Sequence, residues 1–449
     1  MDLLSYIPQF GNLIFTIGSF VVALTVIVFV HEYGHYIVGR WSGIQADVFS
    51  IGFGPVLWSR MDKHGTRWQV AALPFGGYVK FRGDADAASG KDEDAMAEAA
   101  ADPEELRKTM HGAPLWARTA TVAAGPVFNF VLAILVFGGI FMARGAPSDP
   151  LTVGMIPPLP AGAYELREGD EILAIGGHEI PPLDETGRRA AFFGELPQQP
   201  VLEYRIRRDG AERTVNGPYL YPPLAGQVVP GSASIAAGFV AGDVILEIEE
   251  REIFAFGQLK ETVEGSNGRP LPMKVWRAGE VMDLVLTPRR MDEPQPEGGF
   301  KTQWRIGIVS GMAFEPATRA VTFTEALSGG AAQTWRVIEG SVSGLWHILT
   351  GAISSCNMSG AIKIAQTSGE TASQGGASFI WFIALLSAAI GMINLFPIPV
   401  LDGGHLLFYA YEAVTGRPPS DAVLRVLMTI GLTLVLGLMI FALANDVLC

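Results

Sequence analysis

Charge is scarce in this chain. Of its 449 residues only 17% are charged while 49% are hydrophobic, and the mean hydropathy is +0.30. That is too apolar for an ordinary soluble protein and too polar for a bare membrane bundle, so the composition calls for spans joined to water-exposed domains. Basic residues are the rarer sign: 32 Lys and Arg stand against 45 Asp and Glu, leaving a net charge of −13 that argues against a nucleic-acid partner. Cysteine is nearly absent. Cys356 and Cys449 form no Cys-x-x-Cys pattern, so no disulfide framework or thiolate metal site is expected, and both read as ordinary apolar or terminal residues. The N-terminus lacks the basic stretch of a secretory leader, carrying Asp2 instead, and no small-residue cleavage site follows its apolar core. It reads as a retained anchor.

Four apolar runs, at about 13–39, 117–141, 379–396 and 426–443, are long enough to span a bilayer. The third is short and meets Pro397, which suits a helix that breaks inside the membrane to line a cavity. Lys and Arg crowd between the first two spans and recur, as Arg417 and Arg425, between the last two. By the positive-inside rule these loops are cytoplasmic, and both termini and the large central region lie outside.

The first run has no charged residue from Leu13 to Val30 and ends in His31-Glu32-Tyr33-Gly34-His35. Two histidines four apart lie about 40° from each other around a helix, one turn apart, so both can reach one ion. Glu32, beside the first of them, can face a water on that ion. His-Glu-x-x-His is thus a zinc hydrolase signature, and three ionisable groups at the end of a span are costly without an ion to meet. A third ligand is needed. Asp402, in Asn394-Leu395-Phe396-Pro397-Ile398-Pro399-Val400-Leu401-Asp402-Gly403-Gly404, lies close behind the third span on the same side; His405 is its competitor. Asn394 is placed to hydrogen-bond a polarised carbonyl or an oxyanion.

The central region repeats itself. Glu168-Gly169-Asp170-Glu171-Ile172-Leu173-Ala174-Ile175 returns as Ala241-Gly242-Asp243-Val244-Ile245-Leu246-Glu247-Ile248, in each case a turn followed by a strand. Each copy is one small β-rich domain and resembles a PDZ domain, a module that adds a peptide to a sheet edge. Residues 84–105, rich in Ala, Asp and Glu with no aromatic, read as a solvated, disordered insertion. Residues 323–364 read as helix packed on the membrane surface or against the outer face, and 68–81 as a strand-like segment.

Taken together, His-Glu-x-x-His after the first span, Asn394 to Gly404 after the third and the intervening tandem repeat resemble the site-2 protease family of intramembrane zinc metalloproteases, in the form of the bacterial regulators of sigma-E. Gly52-Phe53-Gly54-Pro55, Leu73-Pro74-Phe75-Gly76-Gly77-Tyr78-Val79 and Gly125-Pro126 with Asn129 match as well. The resemblance implies Zn2+ held by His31, His35 and Asp402, Glu32 as general base, and Asn394, Pro397 and Pro399 helping to hold the substrate strand. It also implies a single-span membrane substrate of the anti-sigma-factor kind, already trimmed by an earlier protease, with remnant signal peptides as further substrates and a bacterial inner-membrane location. The fold expected is a polytopic α-helical membrane protein with four transmembrane helices, a tandem β-rich PDZ-like extracytoplasmic region and a membrane-associated β-loop. Its parts are 1–144 (first two spans and β-loop), 145–220 and 221–292 (PDZ-like domains), 293–378 (linker and surface helices) and 379–449 (last two spans). A zinc carrier or a PDZ scaffold with an inactive metal site fits parts of the pattern. Neither needs both Glu32 beside the ligand and the tandem modules.

Overall fold

The computed structural model describes residues 7–85, 90–160, 164–181, 192, 194–294 and 300–448. The chain divides into two compact units: one of residues 1–140, 323–349 and 358–449, the other of 141–322 and 350–357.

The first unit is helical. Among the described residues, four helices are long and apolar enough to cross a membrane: Leu13–Trp41, Leu115–Arg144, Gly376–Asn394 and Asp421–Leu448. The first belongs to a longer helix, Ile7–Trp41, closed by a turn with Gly43 at φ +81°. A left-handed turn of this kind is cheap only for glycine. After it the chain enters a curled antiparallel sheet made of two long strands, Ala46–Met61 and Arg67–Phe81. Residues 46–51 pair with both 77–81 and 67–70, and residues 56–61 fold back to pair with 67–71, so 77–81 forms one edge and 56–61 the other. Phe49 and Trp68 stack at 4.2 Å and pack against Tyr36, which seats the sheet on the first span.

The acidic insertion is not disordered where it is described. It forms two short helices, Glu93–Ala99 and Pro103–Arg107, with Asp92 and Asp102 as N-caps; residues 86–89 lie outside the described ones. Composition missed this because the folding information is in the neighbours. The Asp92 amide donates to Gly83 O, Arg82 pairs with Glu105, and Met96 lies over Gly83. Asp84 is fully buried against His111 Nε2 at 3.2 Å, and burial pushes its carboxyl above the usual range despite that partner. Helix Phe323–Leu349 crosses the second span where Gly138 and Gly330 let the two backbones touch, and helix Ala361–Ser373 packs on the first span. A break holding only a short 3-10 turn, Ser355–Asn357, separates these two helices, so 323–364 is not one continuous element.

The second unit is β-rich, and the sequence repeat is a structural repeat. In the first copy the sheet runs His178–Glu179, Glu171–Ile175, Val201–Arg208, Ala211–Pro218. In the second it runs Arg251–Glu252, Val244–Ile248, Leu271–Arg277, Glu280–Leu286, in the same order. The repeated Gly-Asp has a structural job. Asp170 and Asp243 are fully buried, and each carboxylate is gripped by a two-pronged guanidinium, Arg208 or Arg277, at 2.6 and 2.7 Å. A buried carboxylate requires such a partner. Each copy has its own apolar core, around Tyr204 and Phe314 in one and Ile245 and Val275 in the other.

Part of the expected linker is sheet. Ile308–Ser310 pairs with Ala225–Val228, Glu315–Pro316 with Val153–Met155, and Thr318–Arg319 with Ala146–Pro147, so the chain after the second copy returns to complete strands of both. Sequence pairing rules favour near neighbours, and these partners are far apart in the chain. Cys356 lies in the short helical turn Ser355–Asn357; Cys449 lies outside the described residues.

Candidate metal centre and catalytic cavity

Helical periodicity places His31 and His35 on one face of the first span, with ring centroids 4.7 Å apart. Asp402 begins helix Asp402–Thr415, after a broken segment that turns twice, Ile398 N to Phe396 O and Leu401 N to Ile398 O. Gly403 and Gly404 press against the carbonyls of Leu395, Phe396 and Ile398, where any side chain would collide. The two prolines break the helix, and the two glycines let the next one start at once.

His31 Nε2 lies 3.1 Å from His35 Nε2 and 3.2 Å from Asp402 Oδ2, and His35 Nε2 lies 3.6 Å from the same oxygen. Among the described residues, this is the only group of three or more His, Cys, Asp or Glu whose ligand atoms converge. His405 is outside it; burial pushes its imidazole pKa down. The donor set fits zinc. Ligand bonds of about 2.0–2.1 Å at tetrahedral angles put neighbouring ligand atoms about 3.3 Å apart. Asp402 Oδ2 is buried with no hydrogen-bond partner, as an oxygen reserved for a cation would be.

The ring tautomers agree. His35 Nδ1 lies 2.9 Å from Thr121 O, a carbonyl that can only accept, so the proton is on Nδ1 and Nε2 presents its lone pair. Asn129, fully buried in the second span, sits 3.2 Å from His31 Nδ1 through its amide, while its Oδ1 has no partner. Turning that amide so that Oδ1 accepts from Nδ1–H satisfies the orphan oxygen and frees His31 Nε2 in the same way.

Glu32 is held from the other side. The Val79 amide of the sheet edge hydrogen-bonds its carboxylate, and Gly77 leaves room for it. His31, Glu32, His35, Asp402 and Asn394 all line one cavity of about 1080 Å3. Asn394 is the last residue of the third span's helix. Pro399 packs on Gly404 and on Gly431 of the last span, and neither it nor Pro397 lines the cavity.

Sequence reasoning gave no role to Thr121, Gly125 or Asn129. A Cβ at Gly125 would strike both imidazoles, and one at Gly34 would strike Ala124 O, so the two spans cross glycine to glycine at the histidine pair. A polar Asn inside an apolar run was the available signal.

Comparison with known proteins agrees with this geometry. The description "Peptidase family M50" matches residues 19–438. A Rhizobium meliloti (strain 1021) protein provisionally named a zinc metalloprotease is 37% identical over 439 residues, covering 97% of each chain. An Agrobacterium fabrum (strain C58) protein of the same description is 35% identical, covering 96% of this chain and 95% of the other. The regulator of sigma-E protease RseP of Salmonella typhimurium (strain 14028s) is 33% identical over 463 residues, covering 97% of this chain and 99% of its own. A match along nearly the whole length, with converging His, His and Asp beside a glutamate, makes this chain a member of peptidase family M50, the site-2 proteases, and hence a membrane zinc metalloprotease.

Proposed function

We propose that this protein cuts a peptide bond in or near the membrane span of single-span proteins, with His31, His35 and Asp402 as zinc ligands and Glu32 as general base. The observation that carries the reading is the triangle of ligand atoms, with edges of 3.1, 3.2 and 3.6 Å, opening beside Glu32 into a cavity of about 1080 Å3. When bound, zinc supplies a Lewis acid and lowers the pKa of a coordinated water to about 7. Glu32 takes the proton of the attacking water and passes it to the leaving amine. The Val79 amide aims the carboxylate at that task. Asn394, at the rim of the same cavity, donates its amide to the carbonyl oxygen as negative charge builds there. Pro397 and Pro399 act on the substrate strand indirectly, by shaping the segment that carries Asp402.

A helical span hides its peptide bonds in its own hydrogen bonds, so the substrate must open into an extended strand before it is cut. The edge at residues 77–81, beside Glu32, is the place for that strand to add. The two β-rich copies, read as PDZ-like domains at 145–220 and 221–292, face the periplasm and admit substrates whose bulky outer part is already gone. An anti-sigma factor fits that description, in line with the name of the Salmonella relative, and remnant signal peptides are further substrates. The protein then sits in a bacterial inner membrane with its cavity toward the cytoplasm.

The test is cleavage of a single-span reporter in lipid by wild type and Glu32→Gln, with zinc measured in both. Glu32→Gln is expected to lose cleavage by at least 100-fold while keeping its zinc. Cleavage at the wild-type rate would overturn the assignment of the base.

A further inference from the structure

The second span, Leu115–Arg144, carries none of the three converging ligand atoms, yet each ligand is keyed to it. Thr121 O holds His35, and Asn129 holds His31. The third key is less obvious. Arg118, one turn before Thr121, grips Glu412 with two hydrogen bonds, Nη1 to Oε2 at 3.0 Å and Nη2 to Oε1 at 2.6 Å. Glu412 belongs to the helix that begins with Asp402.

We infer that Arg118 and Glu412 are positioning residues that fix Asp402 against the histidine pair, so that the second span registers all three ligands. The inference rests on the ligand set proposed above. Helix Asp402–Thr415 is anchored by Gly403, Gly404 and Phe408 and by half-buried Leu406 and Tyr409, contacts that do not by themselves fix its rotation. The ion pair supplies what packing does not. Both side chains are largely buried, at 14% and 17% exposed. Arg118 Nε also donates to Ala113 O at 3.0 Å, and the guanidinium lies 5.2 Å from the centre of the Tyr409 ring. The guanidinium is therefore tied to the turn that leads into its own helix, at Ala113, and to the partner helix through Glu412 and Tyr409, and its planar fork resists turning of that helix.

Turning is what matters for Asp402. Its carboxylate lies roughly 5 Å off the helix axis, so a rotation of about 15° moves it by more than about 1 Å. Zinc sites tolerate only about 0.2 Å in ligand distance. Arg118, Tyr409 and Glu412 line the same cavity as the ligands, with Glu412 about 15 Å along the helix from Asp402, so this register is set at the cavity wall rather than at an outer surface.

Zinc affinity, read by chelator competition on the full-length protein in lipid, tests the inference. The neutral pair Arg118→Met with Glu412→Gln leaves no orphan charge in the cavity. It is expected to bind zinc about 10–100-fold more weakly, the usual cost of losing a partner that orients a ligand, with thermal unfolding of the zinc-free protein unchanged. Tyr409→Leu, which keeps the ion pair but removes the ring behind it, is expected to show a smaller loss. Native zinc affinity in the neutral pair, or reduced stability without weaker zinc binding, would overturn it. Asp402→Ala runs alongside: if that variant keeps its zinc, the ligand set has failed and the inference with it, whereas lost zinc in Asp402→Ala with native affinity in the neutral pair overturns the positioning role alone.

Discussion

Gly125 shows how small a change can disable the centre. It lies where the second span passes under the imidazoles of His31 and His35, with no room for a methyl group. Gly125→Ala is expected to push the rings apart and weaken zinc binding about 10–100-fold, read by chelator competition; unchanged affinity would mean the spans can separate at no cost. Asn129→Leu should act through tautomer control of His31, with a comparable loss in the same assay. At this scale the sequence is uneven. His31, Glu32, His35 and Asp402 stand out because ionisable groups beside apolar runs need a reason. Thr121 does not, and Gly125 shows only as part of a family match with no role attached, because the value of a glycine or a backbone carbonyl depends on which helix crosses it.

Single elements show where local pattern suffices and where it does not. The spans are legible because a long apolar run has one low-energy form in a bilayer. The repeated strands are legible by alternation and by Gly-Asp, although the reason for the aspartate, a grip by Arg208 or Arg277, comes from a strand later in the chain. Arg208→Met leaves Asp170 buried without its counter-charge, with only the Arg167 amide still donating to it, a loss of about 3–5 kcal/mol. Hydrogen exchange in Glu171–Ile175 should then speed up by roughly 100-fold or more, while the second copy keeps its protection. The insertion is the case where composition misled. Its two helices are too short to stand alone and persist through caps and contacts with Gly83, Arg82 and Ser42. Asp102→Ala should cost about 1 kcal/mol, seen as faster exchange confined to Pro103–Arg107.

The molecule as a whole joins a helical unit that carries the candidate metal centre to a β-rich unit built twice from one plan. That plan was legible down to the repeat, but not in the returning strands from Ile308 to Arg319, whose partners lie far back in the chain. The proposed orientation makes its own prediction: a cysteine placed at Lys63 reacts with a membrane-impermeant thiol reagent only from the cytoplasmic side, and one at Asp209 only from the other. The central claim is that the first span and the segment behind the third jointly hold one zinc. Zinc content of purified wild type, His31→Ala, Asp402→Ala and His405→Ala tests this most directly. One zinc per chain is expected in wild type and His405→Ala, with loss of tightly bound zinc in the other two. Full zinc in Asp402→Ala with loss in His405→Ala would contradict it.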